Sequence, residues 1–240
     1  MNSGYFVTGT DTGIGKTVVS ACLCLALQGS IQRVAYMKPV QTGCDTAADG
    51  RGVPPDPAFV LSATGFTPDP DEVADVCPVS LRLPASPHLA AAEQSRLIDV
   101  SALVAAFNRL QTRYEQLVVE GAGGVMVPLN DKATILDLIQ ALALPAVVVA
   151  RSGLGTINHT WLTLDTLRRA GVAVAGVVLV DTTDQPPGLI EADNARVIAA
   201  RGRVPVLAHL PYDAATARGI VNPAYLKEQA ERLRTQLTVQ

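Results

Sequence analysis

The sequence predicts an α/β fold: a doubly wound, mostly parallel sheet flanked by helices, in one domain over residues 1–240. Three observations predict it. Six apolar strand candidates alternate with helical stretches, the order that parallel strands joined by helical crossovers require. Several of these strands are unbroken Val, Ile and Leu runs, as strands buried on both faces are. The first strand ends in a glycine-rich turn that opens a helix. At 240 residues, with 48% hydrophobic and 17% charged content, the chain can bury one large core.

The strands are expected at Tyr5–Val7, Arg33–Met37, Leu117–Val119, Ala146–Ala150, Val174–Val180 and Pro205–Ala208. Helices are expected at Lys16–Leu27, Val100–Arg113, Ile135–Ala143, Thr156–Ala170 and Leu189–Ala200, with a surface helix in the tail from Ala224 to Gln240. No internal repeat is visible. Ligands of such sheets bind beyond the carboxyl ends of the strands, so the residues that follow each strand are where chemistry is sought.

After the first strand comes Gly9-Thr10-Asp11-Thr12-Gly13-Ile14-Gly15-Lys16-Thr17, running into the helix at Val18. Such a turn leaves backbone N–H groups that a phosphate chain can satisfy. Lys16 adds a charge for the outer phosphates, and the Thr17 hydroxyl is placed to ligate Mg²⁺. Thr10 stands where the strict P-loop pattern has its first glycine, and Gly9 lies one position earlier, so this is a variant P-loop. A dinucleotide fingerprint fits worse: Val18 follows where Gly or Ala belongs, and Lys16 is left without a role. The fold is therefore expected to be P-loop NTPase-like.

After the second strand, Lys38-Pro39-Val40-Gln41-Thr42-Gly43 offers either a second cation facing the phosphates or an ordinary solvated lysine. Residues 44–58 are small, polar and breaker-rich, a long loop beside the site. Asp56 there is either an N-cap for the apolar segment from Pro57 to Ala63 or a metal carboxylate. Pro84-Ala85-Ser86-Pro87-His88 breaks the chain before an alanine-rich helix starting at Leu89, and no histidine has a metal-ligand partner at the next helical turn. The third strand ends at Glu120 before the turn Gly121-Ala122-Gly123-Gly124; an apolar strand ending in one acid beside a P-loop is an arrangement that holds Mg²⁺. After the fourth strand, Gly155, Thr156 and Asn158 open a helix whose N–H groups suit a carboxylate, or simply cap it. The fifth strand leads to Asp181 and the sixth to Leu210, Pro211 and Tyr212.

A net charge of −3 gives no footprint for nucleic acid or an anionic membrane. No apolar run reaches about 18 residues, so no bilayer span is expected. The first strand begins almost at once, so no signal peptide is expected. The four cysteines lack the spacing of a zinc site; Cys22 and Cys24 read as packed small hydrophobes, and a reducing cytoplasm is the expected compartment.

In order and spacing, residues 9–17, Lys38-Pro39-Val40-Gln41-Thr42-Gly43, Ser86-Pro87-His88, Val119-Glu120-Gly121-Ala122-Gly123-Gly124 and Leu154-Gly155-Thr156-Ile157-Asn158-His159 resemble the dethiobiotin synthetase family across nearly the whole chain. The offset first glycine is what that family shows. The resemblance implies ATP-dependent carboxylation and ring closure of diaminopelargonic acid with CO₂ to the cyclic urea dethiobiotin, releasing ADP and phosphate, in biotin biosynthesis. It implies that Lys16 and Lys38 are catalytic and that Thr17, Asp56 and Glu120 hold Mg²⁺. It further implies nucleotide contacts from Gly13, Ile14, Gly15, Lys16, Thr17, Val18, Asp56, Glu120, Gly121, Ala122, Gly123, Asp181, Leu210, Pro211 and Tyr212. Thr42 would touch the substrate, while Gly155, Thr156 and Asn158 would bind its carboxylate from the other subunit of a homodimer. Two departures stand out. Val180 replaces a base-contacting Asn, and Ala208-His209 replaces a Gly-Glu pair, so nucleotides other than ATP are expected to be accepted. The rival reading is a P-loop switch ATPase acting through dimerisation and partner binding. Such ATPases carry a signature lysine five residues before the P-loop lysine, where this chain has Asp11. A related corrin amide ligase would need a glutaminase domain, for which 240 residues leave no room.

Overall fold

The structure is a computed structural model and describes residues 3–30, 33–46 and 52–238. Its first half contains β1 (Gly4–Gly9), α1 (Lys16–Gln28), β2 (Val34–Met37), β3 (Val40–Gln41), β4 (Asp45–Thr46), β5 (Gly52–Val53), α2 (Pro55–Thr64), α3 (Val73–Val76), β6 (Val79–Ser80) and α4 (Pro87–Glu93). The second half alternates regularly through α5 (Val100–Gln111), β7 (Gln116–Gly124), α6 (Ile135–Leu142), β8 (Ala146–Arg151), α7 (Thr156–Arg169), β9 (Val174–Val180), α8 (Leu189–Gly202), β10 (Val206–Leu210) and α9 (Pro223–Thr238).

Six strands form one sheet in the order β10-β9-β8-β1-β7-β2, each neighbouring pair parallel, as the alternation predicts. The chain runs from β1 to β2, inserts β7 between them, and then adds β8, β9 and β10 on the far side. Strand order therefore reverses at β1, and a ligand crevice is expected beyond its carboxyl end. The turn at residues 10–15 sits there.

Side chains alternate across the sheet. Phe6, Leu117 and Val119 pack into one core layer with Leu103 of α5, Ile139 of α6 and Leu164 of α7. Val7 and Val118 pack into the other, with Val19 and Leu23 of α1 and Leu226 of α9. Tyr36 pairs in register with Val118 and shares its layer. By the same two-residue period, Lys38 and Glu120 also point to the α1 face.

Three local expectations need correction. Residues 121–124 are not a turn, because β7 continues to Gly124 and pairs it with Gly9. The strands can meet there because a Cβ on Gly124 would lie only 3.0 Å from the Gly9 carbonyl oxygen. Asp56 is not an N-cap: Pro54 takes that position, Pro55 begins the helix, and Asp56 lies in the first turn. The alanine-rich helix starts at Pro87 rather than Leu89 for the same reason. Of the 44–58 loop, Asp45–Thr46 and Gly52–Val53 pair as an antiparallel ribbon, while 47–51 lie outside the described residues, as do 239–240 of the tail. No described helix is long and apolar enough to cross a membrane.

A polar clamp fixes the segment beside Lys38. Arg109 of α5 donates twice to Asp75 of α3, at 2.6 and 2.9 Å, and buried Glu72 accepts from Tyr114 at 2.8 Å. The Val76 carbonyl, at the end of that clamped turn, accepts the Lys38 backbone N–H at 2.8 Å.

Candidate active site

Helix α1 begins on Gly15, whose φ of 89° favours glycine. A Cβ at that position would also come within 3.1 Å of the Val180 side chain. This tight start presents Lys16 and Thr17 to the crevice. The buried Lys16 ammonium donates to the Asp11 carbonyl at 2.7 Å. Burial, reinforced by the nearby Lys38 charge, pulls its pKa down to about 8. Asp11 itself pairs with Arg151 at the end of β8, tying the turn to the sheet.

Lys38 is buried, with its Nζ 2.6 Å from Glu120 Oε1 and 2.7 Å from Asp56 Oδ2. It also donates to the Gly121 carbonyl at 3.2 Å. Burial works to lower its pKa, but Glu120 and Asp56 outweigh that and raise it above the ordinary lysine value. Lys38 is thus no solvated strand-end lysine.

Glu120 is 1% exposed and has both oxygens engaged. Oε1 accepts from Thr17 Oγ1 at 3.0 Å as well as from Lys38, and Oε2 accepts from the Tyr36 hydroxyl at 2.8 Å. Burial, then the Glu120 and Asp56 charges, push the Tyr36 phenol well above its usual value, so it remains a donor. Asp56 and Glu120 therefore converge on one ammonium, with the Thr17 hydroxyl on Glu120 beside them, and these three hard oxygen donors form a set that suits Mg²⁺. Among the described residues, no three His, Cys, Asp or Glu side chains are grouped for a metal. A hydroxyl is needed to complete any such set.

Two cavities meet at this cluster. One, of about 600 Å³, is lined by Lys16, Lys38, Thr42, Glu120, Ala122, Gly123 and the segment Pro84-Ala85-Ser86-Pro87. The other, of about 410 Å³, is lined by Ile14, Val18, Val180, Asp181, Pro211 and Tyr212. Gly13, Gly15, Thr17 and Asp56 line both.

At the far end of the smaller cavity, Asp181 Oδ1 accepts from Ser152 Oγ at 2.5 Å and lies 2.6 Å from His209 Nε2. The Leu210 carbonyl accepts the Asp181 N–H at 2.9 Å, and the Pro211 carbonyl accepts from the Tyr225 hydroxyl at 2.7 Å.

The remaining sequence candidates lie apart. Leu210 is fully buried and lines neither cavity, and Gly121 reaches the cluster only through its carbonyl. Gly155, Thr156 and Asn158 are not brought to either cavity within one chain. Gly155 caps α7 by its backbone, with no side-chain cap bond. Thr156 is buried against Thr160, while Asn158 is exposed. The sequence reading missed Tyr36, which is two residues from Lys38 and so on the same strand face. Its partner, however, depends on the register of β2 with β7.

The chain is similar to several known proteins. An AAA-domain family model matches residues 3–218. An ATP-dependent dethiobiotin synthetase of Methanococcus vannielii is 46% identical over 179 residues, which are 75% of this chain and 79% of that protein. Another, of Paramagnetospirillum magneticum, is 44% identical over 218 residues, 90% and 92% of the two chains. Among solved structures, the septum site-determining protein MinD of Pyrococcus horikoshii, complexed with Mg-ADP, superposes with a TM-score of 0.61 at 17% identity, covering 99% and 94%. That last likeness is one of fold alone. The identity and coverage of the two sequence relatives decide the rest: the chain belongs to the ATP-dependent dethiobiotin synthetase family.

Proposed function

We propose that the two joined cavities, within a single P-loop NTPase-like domain over residues 1–240, carry out the family's reaction, with nucleotide in the smaller and diamine in the larger. As a member of this family the chain is an ATP-dependent ligase of biotin biosynthesis, forming carbon–nitrogen bonds. The observation that carries the assignment of roles is the Lys38 ammonium held between Glu120 and Asp56 where the cavities meet.

One amine of diaminopelargonic acid adds to CO₂ as a carbamate, whose oxygen attacks the γ-phosphorus and displaces ADP. The second amine then attacks the carbamoyl carbon, closing the cyclic urea and expelling phosphate. Phosphoryl transfer of this kind asks for positioning and charge neutralisation rather than a protein nucleophile. Lys16 supplies charge to the transferring phosphoryl group, and Lys38, which lines the same cavity, supplies it to the carbamate and to that group. Thr42 faces the diamine in the larger cavity. Thr17, Asp56 and Glu120 would hold Mg²⁺, which when bound neutralises the phosphate charge. Phosphate release should require diamine, bicarbonate, Mg²⁺ and nucleotide together, and should stop in chelator. Release with the diamine left out, at the full rate, would defeat this assignment.

The substrate carboxylate falls to Gly155, Thr156 and Asn158 of a second copy. Two observations support a homodimer: these residues stand away from their own chain's cavities, and Met126 and Leu162 are exposed on the groove beside the turn. Mixing an Asn158→Ala chain with a Lys16→Ala chain should restore part of the turnover, since one hybrid site regains both halves. No recovery, with subunit exchange demonstrated, would place the carboxylate site within one chain.

Base selection is expected to be loose. Val180 has no donor or acceptor, and the Leu210 and Pro211 carbonyls already have donors. Apolar contact discriminates by only about 10–200-fold, so GTP or CTP should support kcat/KM within about 100-fold of ATP. A wider gap would mean that another group reads the base.

A further inference from the structure

We propose that Tyr36 is a positioning residue that makes Glu120 a one-oxygen ligand and thereby tunes the cation site to Mg²⁺ over larger ions. The proposal rests on the reading of Thr17, Asp56 and Glu120 as the metal ligands.

The geometry divides the Glu120 carboxylate cleanly. Oε1 faces Thr17 and Lys38, at 3.0 and 2.6 Å, while Oε2 is turned away and takes the Tyr36 hydroxyl at 2.8 Å. Tyr36 is itself 1% exposed, on the strand next to β7, so its ring cannot swing aside without disturbing the core. A buried tyrosine hydroxyl needs some partner. Here it has taken the one oxygen whose freedom would let the carboxylate grip a cation with both. Ca²⁺ accepts such two-oxygen carboxylates in a shell of about 6–8 ligands, whereas Mg²⁺ demands a near-octahedral shell. Groups that orient metal ligands in this way typically affect affinity by about 10–100-fold.

The test is Mn²⁺ binding to the protein–ADP complex, followed by electron paramagnetic resonance, with Mg²⁺ and Ca²⁺ as competitors. No turnover is involved. Tyr36→Phe should weaken Mn²⁺ and Mg²⁺ binding by about 10–100-fold and Ca²⁺ binding less, narrowing the Mg²⁺/Ca²⁺ preference. Glu120→Gln should weaken binding as well. Because Tyr36 acts through Glu120, the double variant should bind no more weakly than Glu120→Gln alone. Losses that simply add would make Tyr36 a general structural residue and overturn the proposal. Wild-type affinity in Tyr36→Phe, with Glu120→Gln weakened, would overturn it while sparing the metal site. Wild-type affinity in Glu120→Gln would sink the metal site and this proposal together. The unaltered chain gives a check that needs no variant: Ca²⁺ bound as tightly as Mg²⁺ would also overturn it.

Discussion

Lys38→Ala should lose about 10²–10³ of its turnover, the usual effect of deleting one preorganised group that meets developing charge. It should also lose stability. Lys38 is the shared partner of Glu120 and Asp56, and removing one member of a buried ion pair typically costs about 3–5 kcal/mol. The Tyr36 and Thr17 hydroxyls on Glu120, and the partial exposure of Asp56, should hold the loss toward the lower end. Thermal unfolding in the absence of nucleotide checks this. Millimolar Mg²⁺ should raise the Tm of the variant more than that of the wild type, because a cation then occupies charges left unpaired. A variant folded by circular dichroism that keeps near wild-type turnover would remove Lys38 from the mechanism.

Lys16→Ala should lose turnover on the same scale, about 10²–10³, but without the loss of stability. The two lysines differ in what the fold does to their charge. Lys38 is held above the ordinary lysine pKa, so its charged form is favoured by folding. Lys16 is pulled down to about 8, so its charged form is disfavoured until phosphate arrives. Removing Lys16 should therefore leave the Tm of the nucleotide-free chain unchanged or raised. It should weaken the stabilisation that added ATP gives, since a ligand that binds only the folded state at free concentration L stabilises it by RT ln(1 + L/Kd), which shrinks as Kd rises. A Lys16→Ala chain that falls in Tm as far as Lys38→Ala would show that the two ammonium groups are not distinguished in this way.

Much of this is legible in the sequence alone. The six strands are legible because buried parallel strands are continuous apolar runs, and their parallel direction follows from alternation with helices, whereas the placing of β7 between β1 and β2 is not written in the alternation. Lys16 and Thr17 were legible because the Gly-Lys-Thr pattern is local. What sequence missed depended on pairing across the chain. Gly121 to Gly124 looked like a turn, yet β7 continues because glycines let it lie close against β1. The sequence leaves two readings open for Asp56; the two prolines before it fix the helix start and remove the N-cap reading, and its charge meets Lys38. Tyr36 carried no motif at all. Its importance comes from the register that sets it beside Glu120, 84 positions away in sequence.

The central claim is that this site delivers the γ-phosphoryl group to a carbamate oxygen, and not to water. Oxygen transfer tests it most directly. With freshly added ¹⁸O-labelled CO₂, diamine, Mg²⁺ and unlabelled ATP, the carbamate oxygen that attacks phosphorus leaves with it when the urea closes. Mass spectrometry of the first turnovers should find one ¹⁸O in each phosphate released and one in the product's carbonyl. Phosphate free of label, formed at the same rate as the cyclic product, would contradict the account.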